Sequence, residues 1–307
     1  MVPRDTGDSM QHVLAVINPR SGWQQGALVA QWLSEIALTH GLQLTIRPTT
    51  NTTSASTLVS DAGQFDRVVV SGGDGTVMQV MNGLVNTRIP LAIVPGGTGN
   101  VIAQAVGVRS DPRLACEDAL GECDATPVDL GLLDEKVYFA LRMSIGYEAL
   151  VTQDTTPALK IRFGKLAYLW QAALHAMHQS TVRYRIDVDG VILHKRAESV
   201  WVANTGILGI LGLELDPEIS PSDRQLDLCI FRFTLRRNLQ RVLQWLLHRE
   251  RLPATVLTRI PVKQYVNIAA VPRQPVQVDG DTLGHTPSRI RVVPGGVFVC
   301  KSRREAP

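Results

Sequence analysis

Three times within the first hundred residues a short apolar, β-branched run stops at a turn rich in glycine and hydroxyl side chains, and the chain then takes up helical periodicity. Val13–Ile17 stops at Asn18-Pro19-Arg20-Ser21-Gly22, Arg67–Val70 runs into Gly72-Gly73-Asp74-Gly75-Thr76, and Leu91–Val94 stops at Pro95-Gly96-Gly97-Thr98-Gly99-Asn100. Between them, Leu28, Trp32, Leu33, Ile36 and Ala37 recur at helical spacing before Gly41, and Leu42–Arg47 reads as another strand. Ser56–Ala62 suggests a second helix and Val77–Leu84 a third. This alternation predicts an open, mostly parallel, Rossmann-like α/β sheet over about the first 120 residues. In such sheets ligands collect beyond the carboxyl ends of the strands, so one site is expected to use all three turns.

Past Pro127 the texture changes. Tyr138–Met143, Tyr184–Val188, Ala197–Asn204, Leu226–Phe231, Tyr265–Ala269, Val276–Val278 and Arg289–Val293 are strand-like runs broken by glycine and polar turns, which predicts an antiparallel β domain. Helical segments are expected at Phe163–His178 and Leu235–Leu247. With 307 residues, two domains fit the length.

Several function classes are disfavoured early. The apolar stretches fall short of the roughly 20 residues that span a bilayer, and Met1–Gln11 carries Arg4, Asp5 and Asp8 rather than an apolar secretory core. A cytoplasmic protein is expected. A net charge of +3 and 5% aromatic residues give little for nucleic acid to grip, so no nucleic-acid partner is expected. Cys116, Cys123, Cys229 and Cys300 lack paired metal or redox spacing and read as reduced, buried thiols. His175 and His178, three apart on an expected helix with no carboxylate or cysteine near them in sequence, read as a solvated face.

The turns themselves carry chemistry. Phosphate groups need backbone N–H donors brought close, and Gly72, Gly73 and Gly75 supply room for close approach and freedom for positive φ. Thr76 opens the following helix, whose amino end adds partial positive charge. Asp74, standing among such donors, points to magnesium or to proton abstraction from an attacking hydroxyl. A hairpin turn at Asp74-Gly75 is the plainer alternative.

Taken in order, these motifs resemble the diacylglycerol kinase catalytic family, which includes sphingosine and ceramide kinases and soluble bacterial lipid kinases. The likeness continues through Val128-Asp129-Leu130-Gly131, Gly164-Lys165-Leu166-Ala167-Tyr168, Ser222-Asp223 to Leu226-Asp227, and Val278-Asp279-Gly280-Asp281. The resemblance implies an ATP-binding α/β domain over residues 1–127 and a lipid-binding β-sandwich over 128–307, with the extreme C-terminus packing back on the first. It implies ATP and Mg2+ as cofactors and a membrane lipid such as diacylglycerol as acceptor. Asn18, Arg20, Ser21, Gly22, Gly72, Gly73, Gly75, Thr76, Gly97, Thr98 and Asn100 would line the nucleotide, with Thr49 a weaker candidate. Asp279 and Asp74 are the candidates for general base, Asp279 favoured; a plain Asp-Gly hairpin turn is the other reading of Asp279. Asp74 and Asp223 are the candidate metal ligands.

The chain departs from the family pattern at Trp23 in place of a basic residue, Val101 in place of aspartate, Arg224 in place of glycine, and Asp281 in place of glutamate. Arg20 is then the candidate phosphate-neutralising cation, and Arg224 weakens the case for a structural metal at Asp223. Leu239, Val242, Leu243, Leu246 and Leu247 share a helical face flanked by Arg236, Arg237, Arg241 and Arg249, a pattern that suits either core packing or peripheral docking on an anionic membrane. A homodimer stays open. Two other readings remain: an NAD kinase-like phosphotransferase, whose Asn-Glu motif is absent here, and a non-catalytic lipid or nucleotide sensor.

Overall fold

The apolar runs of the N-terminal half become parallel strands because both faces of the sheet are covered, which lets nearly every position be apolar. In the computed structural model, which describes residues 10–21, 26–146, 181–208, 213–232 and 252–302, the chain divides into two units, Met1–Val128 with Gly296–Pro307, and Asp129–Gly295. In the first unit β1 (His12–Ile17), β2 (Gln43–Pro48), β3 (Arg67–Gly72) and β4 (Pro90–Pro95) pair in the order β2-β1-β3-β4, all parallel. The end of the last strand, β16 (Ser288–Ser302), continues this order through Phe298 and Val299 beside β4, again parallel.

Helix α1 (Gly26–Thr39) buries Val29, Leu33 and Ala37, an i, i+4, i+8 stripe, in a core shared with Val13, Ala15, Val69 and Ala92. It ends before Gly41, whose φ of 65° supplies the left-handed residue that terminates helices. α2 (Asp74–Leu84) follows β3, α3 (Val101–Ala105) follows β4, and α4 (Pro112–Leu120) opens on Asp111, whose carboxylate accepts from the Leu114 amide at 2.9 Å. The helix expected at Ser56–Ala62 is instead two 3-10 turns, Thr57–Val59 and Ala62–Gln64. There the Ser54 hydroxyl bonds those of Ser56 and Thr57, local bonding that competes with a regular helix.

The expectation of four thiols is corrected in part. Cys116 and Cys229 are buried thiols, but Cys123 and Cys300 form a disulfide with Cα atoms 5.4 Å apart. They lie on β5 (Cys123–Leu133) and β16, strands that pair although the cysteines are 177 residues apart in sequence, a separation that hid the pairing.

The second unit is an antiparallel sandwich. One sheet runs β12 (Leu257–Val262), β11 (Leu226–Phe231), β10 (Ser199–Ala203), β7 (Arg142–Gly146), β14 (Pro275–Val278), β15 (Asp281–His285). The other includes the start of β16, then β13 (Tyr265–Val271), β8 (Val182–Val188) and β9 (Val191–Ala197). Met143, Ile145, Val200 and Leu228 from the first meet Tyr184, Ile186, Val266 and Ile290 from the second in one core. β8 alternates buried and exposed, whereas β11 is buried throughout because Cys229 and Phe231 pack into a second cluster with Leu215, Ile219 and Leu257. The run expected as one strand, Tyr138–Met143, divides into β6 (Val137–Phe139) and β7, since the Ala140 and Leu141 amides donate to the Asp279 carboxylate instead of to a strand. Among the described residues no helix is long and apolar enough to cross a membrane.

Gly131 on β5 lies opposite Phe139 on β6, and a methyl group there would overlap the fully buried ring. Gly131→Ala is therefore expected to lower unfolding free energy by about 1–3 kcal/mol in urea titrations.

Candidate active site

Asn18 is the first residue beyond β1, and its four polar groups are all engaged. Its amide donates to the Ser71 carbonyl at 2.8 Å, which ties the turn to the end of β3. Its carbonyl accepts from the Ser21 amide and hydroxyl, and its Oδ1 accepts from the Arg20 amide at 3.0 Å. Its Nδ2 donates to Thr76 Oγ1 at 3.0 Å, joining the first turn to the first turn of α2.

The other two turns meet through missing side chains. The Gly96 amide donates to the Gly72 carbonyl at 2.9 Å. A Cβ on Gly97 would lie 2.6 Å from Gly73 Cα, one on Gly72 would lie 2.6 Å from Thr76 Cβ, and one on Gly96 would lie 2.9 Å from Ser21 Oγ. Gly75, in the first turn of α2, faces open space. The glycines therefore act by close approach; none of Gly72, Gly73, Gly75 or Gly97 has a left-handed φ, and the positive φ in these turns belongs to Asn100, at 49°. Asn100 holds that conformation by accepting from the Gly97 amide at 2.7 Å and donating to the Gly97 carbonyl at 2.8 Å.

Asp74 begins α2, so the hairpin alternative does not hold. Its Oδ1 accepts from the Ile102 amide at 2.9 Å and so caps α3 from a neighbouring helix. Burial pushes its carboxyl above the usual range, opposed by the amides of Ile102, Val101 and Asn100.

Beside these turns a polar cavity of about 340 Å3 is lined by Asn18, Thr49, Thr50, Thr52, Thr76 and Gln79. Thr49 is fixed there by its amide bond to the Ile17 carbonyl at 2.8 Å, and Arg20 reaches the same loop through Asn51 Oδ1 at 2.7 Å. Thr98 is exposed, and Gly22 and Trp23 lie outside the described residues. A wider groove of about 820 Å3, lined by Arg67, Arg113 and Glu117 among others, opens near the amino ends of β1 and β3, away from the glycine turns. Mixed charge lines it and no strand-end loop converges on it.

In the second unit Asp279 and Gly280 form the two-residue turn between β14 and β15, both at positive φ (45° and 104°), as a tight hairpin requires. Asp279 Oδ1 accepts from the amides of Leu141 (3.1 Å) and Arg142 (2.9 Å), and Oδ2 from Ala140 (3.0 Å). Burial raises its pKa to about 6 despite these donors. Asp281, the next acid along, is exposed at the start of β15, and among the described residues no hydrogen bond engages its carboxylate.

Behind Asp279 lies a buried polar frame. Asn204, fully buried, donates through Nδ2 to the carbonyls of Ala140 (2.8 Å) and Asp129 (2.7 Å), and its amide donates to the Leu141 carbonyl. Asp129 in turn accepts from the amides of Arg224 (2.6 Å) and Gly295 (2.7 Å), with its carboxyl raised by burial. Arg224 holds a φ of 68°, so the turn keeps a left-handed residue even with an arginine where the family pattern has glycine. Asp223 is exposed and both its oxygens bond Gln225. Among the described residues no three potential ligands cluster around a metal position.

Residues 12–133 match the model of the diacylglycerol kinase catalytic domain, and residues 142–301 that of the YegS C-terminal NAD kinase beta sandwich-like domain. The chain belongs to the diacylglycerol kinase catalytic family. A diacylglycerol kinase of Bacillus subtilis (strain 168) is 30% identical over 172 residues, 55% of this chain and 56% of that one. A Klebsiella pneumoniae (strain 342) protein named "Probable lipid kinase YegS-like" is 26% identical over 264 residues, 84% of this chain and 86% of that one. The chain spans between 54% and 62% of the length of three of the curated relatives it matches, the Bacillus subtilis kinase among them. The fold matches a crystal structure of a diacylglycerol kinase from Bacillus anthracis str. Sterne with a TM-score of 0.74 at 21% identity, covering 95% of this chain and 97% of that one.

This member of the family thus brings Asn18, Ser21, Gly72, Gly73, Thr76, Gly97 and Asn100 together in its first unit, while Asp223 and Asp279 belong to the second. Sequence reading missed Gln79, Asn204 and the Thr50–Ser54 loop. The hydroxyl-rich run after the second strand was a usable signal for the loop; Gln79 and Asn204 carried none.

Asp74→Ala is expected to free the start of α3, with faster amide hydrogen exchange at Ile102 and about 1–2 kcal/mol lost in stability. Asn204→Ala leaves two buried carbonyls without their donor and is expected to cost about 2–4 kcal/mol, read by thermal or urea unfolding.

Proposed function

We propose that the chain is an ATP-dependent kinase that transfers the γ-phosphoryl group of ATP to a hydroxyl of diacylglycerol or a related membrane lipid. The convergence of the Asn18, Gly72–Thr76 and Gly96–Asn100 turns beside the amino end of α2, in a chain of this family, carries the reading. Open backbone at Gly75, in the first turn of α2, and the partial positive charge of that helix start suit a polyphosphate. Arg20 and Ser21, with Gly22 and Thr98, would complete the contacts to the nucleotide, and Thr49 with the polar cavity would take its sugar or base. The match of residues 12–133 to the diacylglycerol kinase catalytic domain favours a lipid over NAD as acceptor.

The residues present fit a magnesium ion that arrives with the nucleotide, held by the Asp74 carboxylate together with phosphates and water, and not an all-protein cage. Bound so, Mg2+ would neutralise charge on the phosphates. Asp223, tied to Gln225 and exposed, supports no metal role.

Asp279 is the proposed general base. A pKa of about 6 leaves it ionised at pH 7 yet basic enough to draw a proton from an alcohol, and Oδ2, with a single amide donor, keeps a lone pair. One observation favours a second reading: the Asp281 carboxylate is exposed and unengaged among the described residues, so Asp279 would orient the hairpin and Asp281 would take the proton.

The test is transfer of label from ATP with Mg2+ to diacylglycerol, a sphingoid base, phosphatidylglycerol or NAD in mixed micelles. Label in diacylglycerol is expected; label in NAD alone, or in none, would overturn the proposal. Asp279→Asn is expected to lower kcat about 100-fold or more. A proton acceptor with a pKa of about 6 predicts that kcat/KM rises with pH through about 6. Loss of that limb in Asp279→Asn supports the first assignment; loss of rate in Asp281→Asn, with Asp279→Asn mainly destabilised, supports the second.

A further inference from the structure

On the outer face of the β9-β8-β13-β16 sheet two arginines stand directly opposite each other. Arg183 on β8 lies directly opposite Arg196 on β9, and Arg185 lies directly opposite His194. Directly opposed side chains share one face with Cβ atoms about 5 Å apart, and like charges there destabilise a sheet. All four are exposed, and among the described residues no hydrogen bond or ion pair relieves the three arginines. Of the acids beside this face, Asp187 is engaged by the Asn267 amide group at 3.3 Å and the Gly190 amide at 3.1 Å, and Asp134, which lines one groove with Arg185, accepts from the Arg289 amide at 2.8 Å. Two apolar side chains stand in the same rows, Val271 opposite Arg183 and Ile192 opposite Asp187, 68% and 49% exposed.

We infer that this sheet face is a docking surface for an anionic phospholipid membrane, through Arg183, Arg185 and Arg196 with Val271 and Ile192 entering the interface. Charge complementarity carries the choice of occupant. Lipid phosphates would supply the counter-charge that the fold leaves out, and a plane of headgroups matches a sheet face better than a groove-bound ligand does. Nucleic acid is the poorer fit, because exposed aliphatic groups gain nothing on a duplex and Tyr265 is half-buried. The inference extends the lipid-kinase reading, since an enzyme acting on a bilayer lipid must reach the bilayer, and it concerns strands rather than the basic segment 235–249, which lies outside the described residues.

The experiment is co-sedimentation of the full chain with phosphatidylcholine vesicles and with phosphatidylcholine–phosphatidylglycerol vesicles. R183Q/R196Q is compared with R88Q/R113Q, which removes the same charge from exposed sites in the first unit. Each arginine near an anionic surface is worth roughly fivefold in partition, so R183Q/R196Q is expected to bind the anionic vesicles about 25-fold more weakly, with R88Q/R113Q within about twofold of wild type. Unchanged binding by R183Q/R196Q, an equal loss in R88Q/R113Q, or retention on duplex DNA in place of vesicles would overturn the inference. Relief of the like-charge pair is expected to leave the melting temperature of R183Q/R196Q at or above wild type, so loss of fold does not imitate loss of binding. Diacylglycerol phosphorylation in uncharged detergent micelles is expected to be equal in wild type and R183Q/R196Q. Wild type that labels no lipid yet binds anionic vesicles through these arginines would sink the kinase reading and leave this one standing.

Discussion

Gly73 and Gly97 approach so closely that neither position tolerates a methyl group without moving backbone, and the geometry of the whole strand-end site follows from that contact. Two parallel strands fix the spacing of the chain at their ends, but bringing the loops beyond them together requires removing side-chain volume. Gly72, Gly96 and Gly97 remove it, and a shared hydrogen bond from Gly96 to Gly72 holds the result. Conformational freedom contributes little, since the left-handed residue in the cluster is Asn100, stabilised by its own side chain. A substitution that preserved φ but added volume would therefore harm this site more than one that did the reverse.

The acids in both units spend much of their hydrogen-bonding capacity on backbone amides. Asp74 caps α3, Asp129 receives Arg224 and Gly295, and Asp279 receives three consecutive amides. Each is pushed above the ordinary carboxylate range because the cost of desolvation exceeds what those amides return. Raised carboxyls bind protons more readily in the folded chain than in the unfolded one. The native state thus loses stability as pH climbs from about 4 towards about 6, the window between the ordinary and the raised values of Asp279 and Asp227. That cost is maintained by position: the same carboxylates order the turns on which the proposed chemistry depends.

Much of the fold was legible because its signals are local. Val68–Val70 and Leu91–Val94 are continuous apolar runs that only a sheet covered on both faces can bury, and their bounding glycine turns announce strand ends. What sequence hid was whatever depends on long-range neighbours. The break between β6 and β7 is set by a carboxylate more than 130 residues further on, and the Cys123–Cys300 pairing by a strand that returns at the far end of the chain. Ser56–Ala62 failed for the opposite reason: its periodicity was adequate, but local hydroxyl bonding prevailed over so short a helix. In the candidate site the turn residues were found and Asn204 was not, since a lone asparagine after a strand carries no pattern of its own.

The role of an acid cannot then be read from its motif alone. Asp74 and Asp279 both stand in motifs that resemble the family's, and each is anchored by amides before any substrate arrives. A half-buried carboxylate with three donors is a rigid object, which is useful in a base only if an oxygen still faces the acceptor. Asp281 has the opposite character, exposed and unconstrained, with a shorter reach than the glutamate of the family pattern. If the proton passes to Asp281, that shortening must be offset by where the hairpin is held, and Asp279, with Asn204 and Asp129 behind it, is the group that holds it.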